Sequence, residues 1–199
     1  MTGREAEQTL EVIRTLMERG TRYTNLSGHA GIAAGLCALG GCALRAWLNT
    51  PFVATWLGVL VAASAATAFF TARMASANGE PLWTRQARTV TLALLPSLLS
   101  ALILTAVLAR VGEEQLLPGV WMLLWGVGAL AISFFTPRVM SALGITFMAA
   151  GAVALLTPPS SDVLTMGMTF GVIHLIYGIA LTLTPRSEFE GPTVLTTDA

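Results

Sequence analysis

Val90 to Ala109 reads VTLALLPSLLSALILTAVLA, 20 residues without a charge, with Arg88 just before it and Arg110 just after. At ~1.5 Å of rise per residue, a helix of that length covers the ~30 Å hydrocarbon core of a bilayer. An amphipathic helix of a soluble domain would show a polar face, and this segment has none. A membrane β-strand would be about half as long and would alternate in polarity. The stretch is therefore read as a transmembrane helix. Pro96 inside it predicts a kink, tolerated where neighbouring helices satisfy the freed carbonyl.

Five further uncharged runs flank it, at Leu26 to Leu44, Phe52 to Ala72, Leu116 to Phe135, Val139 to Leu156, and Val163 to Leu183. The expected fold is all-α: a polytopic bundle of six transmembrane helices occupying residues 23–186. Composition agrees, with 54% of 199 residues apolar and 11% charged, against roughly a quarter charged in a soluble domain. Ahead of the bundle, Ala6, Leu10, Ile13 and Met17 recur on one helical face, and Thr2 and Glu5 have capping-box spacing. Residues 1–22 are thus expected to form an amphipathic cytoplasmic helix, lying on the membrane or binding a partner. Its glutamates argue against a cleaved signal peptide. Residues 187–199 read as a disordered cytoplasmic tail.

The arginines set the expected orientation under the positive-inside rule. With both termini in the cytoplasm, Arg4, Arg14, Arg19, Arg22, Arg73, Arg85, Arg88, Arg138 and Arg186 fall inside, and only Arg45 and Arg110 fall outside. That is the topology of an inner, or plasma, membrane protein. Lysine is absent and the formal net charge is zero, which leaves no electrostatic footprint for nucleic acid. Trp47, Trp56, Trp83 and Trp121 lie near span boundaries, as an aromatic belt requires, and Trp125 lies one turn deeper.

Phe69-Phe70-Thr71-Ala72-Arg73 through Gly79 matches Phe134-Phe135-Thr136-Pro137-Arg138 through Gly144 at seven of eleven positions, and the sixth run closes on Thr184-Pro185-Arg186. Two readings follow: three repeated helical hairpins, or the positive-inside rule acting on low-complexity sequence. In either case Arg22, Arg73, Arg138 and Arg186 are candidate contacts for anionic phospholipid headgroups. Alternatively they serve only as topological anchors.

Every Asp and Glu lies in a loop or tail, which disfavours ion-coupled transport through a buried carboxylate relay. A retinal Schiff base has no lysine to form on. Cys37 and Cys42 lie five apart, about 140° around a helix, and do not converge on a metal. The interior polar site is His174 with Tyr177, close enough in sequence to share a hydrogen-bond network. Gly167, Gly171 and Gly178 share a helical stripe with His174, and Gly28, Gly31 and Gly35 form another stripe on the first run. Such faces allow close helix contact, within the bundle or across a dimer.

Three functional classes remain. The first is a non-enzymatic membrane protein that assembles with itself, with lipid or with a membrane partner. The second is a carrier or channel for an apolar, neutral or anionic small molecule, and a cavity at His174 and Tyr177 would favour it. The third is a redox or haem protein using His174, with His29 too far along the bundle to be its second axial ligand. No catalytic residue, metal or cofactor is predicted.

Overall fold

The computed structural model describes residues 27–79, 81–136, 139–157 and 161–183. The expected cytoplasmic helix, the tail, Arg22, Arg138 and Arg186 lie outside the described residues. Those described form six helices long and apolar enough to cross a membrane: α1 (Gly28–Leu48), α2 (Phe52–Ala77), α3 (Arg85–Val111), α4 (Leu117–Ser133, entered through the 3-10 turn Glu114–Leu116), α5 (Val139–Leu156) and α6 (Asp162–Leu183). The chain is thus an all-α, multi-pass membrane protein.

Local chemistry marks the ends. Asn49, at φ 49°, takes the left-handed conformation that closes α1, and Pro51 follows at once to start α2. Thr84 caps α3 by accepting from the Ala87 N–H at 3.1 Å, and Gly112, at φ 80°, ends it. Pro118 occupies the first turn of α4, where its missing N–H costs no helical bond. α2 and α3 extend past their apolar runs to Ala77 and back to Arg85. An apolar run marks where lipid ends, whereas a helix continues as long as its backbone bonds are made.

Apolar burial drives little association among helices already in lipid, so close backbone packing carries more of the fold. Two antiparallel seams provide it. Along α1–α6, a methyl group on Gly178 would stand 2.5 Å from the Ile32 nitrogen and 2.7 Å from the Gly28 carbonyl, and one on Gly35 would stand 2.8 Å from the Gly171 carbonyl. Along α4–α5, a methyl on Gly126 would meet the Gly144 carbonyl at 2.7 Å, and one on Gly151 the Leu123 nitrogen at 2.7 Å. In both seams the helices approach where only hydrogen fits.

α2 packs beside α1 and α3 beside α4, giving two three-helix groups, α2–α1–α6 and α3–α4–α5. The α3 contact is tied by two side chains. The Ser97 hydroxyl donates to the Leu124 carbonyl, and the Trp121 indole donates to Thr105 Oγ1 at 2.8 Å. Three equal hairpins do not describe this arrangement. α6 makes its main contact with α1, not with its chain neighbour α5, because its glycines face α1.

The two groups meet through side chains. One cluster joins Met122, Ala129, Phe147, Tyr177 and Leu181 of α4, α5 and α6. A second joins Ala38, Phe52, Trp56, Leu117 and Met166 of α1, α2, α4 and α6. Trp56 is only 2% exposed and belongs to this core, not to an aromatic belt. It lies one turn from the start of α2, but its azimuth points inward. Trp47 and Trp83 are exposed, as membrane-boundary anchors would be.

Candidate functional site: the aromatic cluster around His174

α6 is α-helical from Asp162 to Met166, π-helical from Gly167 to Ile173, and α-helical again from His174. The π turn adds a residue per turn and shifts the side chains after it around the axis. It directs Phe170 and His174 into the junction between the two groups. Phe170 lies 5.0 Å from Phe147, 5.8 Å from His174, 6.4 Å from Trp125 and 6.5 Å from Trp56, centroid to centroid. His174 also meets Phe147 edge-on at 5.1 Å and Trp125 at 5.6 Å.

His174 is 6% exposed. The carbonyls of Thr169 and Phe170 face its ring, yet Nδ1 makes no bond of hydrogen-bonding geometry. The indole nitrogens of Trp56 and Trp125 are likewise buried without a partner. Several interior hydroxyls, by contrast, are satisfied by their own helix. Thr105 Oγ1 donates to the Ala101 carbonyl at 2.7 Å, Thr169 to Thr165 at 2.8 Å, and Thr182 to Gly178 at 2.8 Å. The buried nitrogens left unpaired thus gather around one phenylalanine.

Tyr177 is buried against Gly31, on the α1 side of α6, where a Gly31 methyl would approach Tyr177 Cδ1 at 3.3 Å. No hydrogen bond joins it to His174 among the described residues, so the expected pair is not a network. The α turn between them sets the Tyr177 ring against Gly31 and the α4–α5 cluster, and the His174 ring among the aromatics around Phe170. Gly28, Gly31, Gly35, Gly171 and Gly178 line the α1–α6 seam, and Gly167 faces Cys42 Sγ, which a methyl would meet at 3.2 Å. His29 stacks on Phe70 of α2 at 6.0 Å, away from His174. Arg73 is exposed, and its guanidinium lies over Phe69 at 6.0 Å.

Sequence reasoning missed two features. Gly119 and Gly126 on α4, and Gly144 and Gly151 on α5, form a seam with the same seven-residue spacing that separates Gly28 from Gly35 and Gly171 from Gly178. That shared spacing was the available signal. The second is Arg45, which bonds Asp162 Oδ2 through Nε at 2.9 Å and Nη2 at 2.5 Å. It also donates to the Thr50 carbonyl and lies over the Phe52 ring at 5.7 Å. Its position at an α1 end gave no hint that α6 began beside it.

A groove of about 650 Å³ runs along the α1–α2 face, floored by Cys37, Gly40, Gly41, Gly58 and Ala62. Methyl groups at Gly40 and Gly58 would meet nothing within 4 Å. Among the described residues, no three His, Cys, Asp or Glu side chains group as metal ligands. No family model matches this chain, and no curated protein or solved structure matches it either.

Proposed function

We propose that this protein acts without catalysis, by assembling with a second copy of itself in the inner membrane, both termini cytoplasmic, through the α1–α2 groove. The carrying observation is a contrast between two equally uncovered helices. α2 and α3 each bury only 11% of their central windows in the bundle, against 44% for the fourth span. The uncovered side of α3 is Leu92, Leu95, Leu99, Leu102, Ile103 and Val107, bulky aliphatics suited to acyl chains. The uncovered side of α2 includes Ala54, Gly58, Ala62 and Ala65. Small residues at three- and four-residue intervals favour close helix contact over lipid.

Copies of one chain insert with one topology, so a two-fold axis along the membrane normal sets α2 beside its counterpart in parallel. Ala54, Gly58 and Ala62 have the spacing for that pairing. No charge lies on this stripe to require a complementary partner of another kind. The glycine faces of α1 and α6, already filled within the chain, are not the dimer surface in this proposal.

Disulfide trapping in native membranes tests it. Gly58→Cys in a Cys37→Ser background should form a covalent dimer on mild oxidation, and Leu99→Cys on α3 should not. Equal trapping at both positions, or none at Gly58→Cys, overturns the proposal. Gly58→Leu should weaken association without unfolding the protomer, since its site opens onto empty space.

A further inference from the structure

Beyond self-assembly, we infer that the junction around Phe170 is an occluded binding site for a small uncharged carbonyl compound, held by hydrogen bonds from the Trp56 and Trp125 indoles and by His174. Buried polar groups in folded proteins are nearly always paired, and each exception requires a cause. Here His174 Nδ1, Trp56 Nε1 and Trp125 Nε1 are unpaired, and all three rings flank Phe170. A packing role does not account for them. Phenylalanine at any of the three positions would fill similar space without stranding a polar atom.

The chemistry of the three nitrogens selects the ligand. An indole N–H only donates, so both tryptophans require an acceptor, and a neutral imidazole can accept or donate. A carbonyl oxygen between the indoles, with an adjacent amide N–H or acid O–H on the imidazole, satisfies all three. Short amides and undissociated short carboxylic acids share that pattern. The ligand is uncharged because no Arg, Asp or Glu is buried among the described residues, and an unpaired ion in a bundle interior is strongly disfavoured. It is small because the ring centroids stand only 5.0 to 6.5 Å from Phe170, which fills the space between them.

Phe170 lies within the π-helical segment. Rewinding that turn to α geometry rotates Phe170 about the α6 axis and vacates the space it fills. π turns are frequent at functional sites. Gly167 and Gly171 bound the moving stretch. A methyl on Gly171 would meet the flexible Leu39 side chain first, while the Gly171 carbonyl lies against Gly35.

Acrylamide is a suitable probe, being a small uncharged amide that quenches indole fluorescence on contact. The full-length protein carries Trp47→Phe and Trp83→Phe to remove the two exposed indoles. Titration should show a saturable quenching component, which iodide does not reproduce. His174→Phe should raise the half-saturating concentration on the order of tenfold, the effect of removing one buried hydrogen-bond partner. The same variant should melt at a higher temperature, because a stranded nitrogen is gone. Phe170→Ala should enlarge the saturable component, and it serves as the second variant should His174→Phe fail to fold. Linear quenching that is the same in all variants overturns the inference. So does a lower melting temperature for His174→Phe with unchanged quenching, which would make the imidazole a structural group.

Discussion

The α1–α6 and α4–α5 seams use one spacing, glycines seven residues apart on each of two antiparallel helices, and differ in how that spacing is supported. Along α4–α5 both helices are regular, and each paired glycine meets backbone atoms of its partner: Gly119 and Gly151, Gly126 and Gly144. α1–α6 is as tight at Gly28, Gly35 and Gly178, where backbone again meets backbone. A methyl on Gly171 itself would meet the Leu39 side chain first, and one on Gly167 would meet Cys42 Sγ, although the Gly171 carbonyl still backs onto Gly35. These side-chain contacts coincide with the π turn, and Arg45 clips the seam to Asp162 beyond it. One seam joins two regular helices; the other includes a π turn and is clipped beyond it by an ion pair.

The largest expected effect sets the two seams directly against each other. Gly151→Ala pushes a methyl to 2.7 Å from the Leu123 nitrogen and 2.9 Å from the Gly119 carbonyl, and neither can move without shifting a helix. It should cost roughly 2–3 kcal/mol, the upper part of the range for overpacking. Gly171→Ala meets Leu39 side-chain atoms at 2.6 and 3.0 Å, and the nearest backbone atom is 3.9 Å away. A rotamer change accommodates it, for less than about 1 kcal/mol. Unfolding in mixed micelles followed by circular dichroism measures both. Equal losses would remove the distinction between the seams.

That contrast also shows what the sequence could and could not reveal. The bilayer forces each span to be apolar for about 20 residues, so the six helices were legible one at a time. Their partners were not. A glycine stripe identifies the close-packing face of a helix without saying which helix comes to it, and Gly167, Gly171 and Gly178 could have faced α5 as readily as α1. The α4–α5 glycines, interspersed among Trp121, Trp125, Phe147 and Met148, drew no attention as a stripe. At the site, His174 was legible as an interior polar residue. Its setting depends on a π turn, a shift in hydrogen-bond register that leaves no compositional mark, and on Trp56, whose distance from a helix end says nothing of its azimuth.

The second effect concerns the clip, which has no counterpart on α4–α5 among the described residues. Arg45 and Asp162 are 19% and 28% exposed, so their ion pair is partly shielded but still wet. A double-mutant cycle with Arg45→Ala and Asp162→Ala should give a coupling of about 1 kcal/mol, above the usual exposed pair and below a buried one. Arg45→Ala alone should cost more than Asp162→Ala, because the guanidinium also serves the Thr50 carbonyl and the Phe52 ring. Zero coupling would mean that the seam stays closed at this end by packing alone.

The smallest effect separates the ring of Tyr177 from its hydroxyl. The ring packs on Gly31 at the tight part of α1–α6, and the hydroxyl has no hydrogen-bond partner among the described residues. Tyr177→Phe keeps the ring and should change stability by less than about 0.5 kcal/mol. A loss well above 1 kcal/mol for Tyr177→Phe would show that the hydroxyl bonds within the bundle. That would extend a polar network from the aromatic junction into the seam, and α1–α6 would differ from α4–α5 in chemistry as well as in fit.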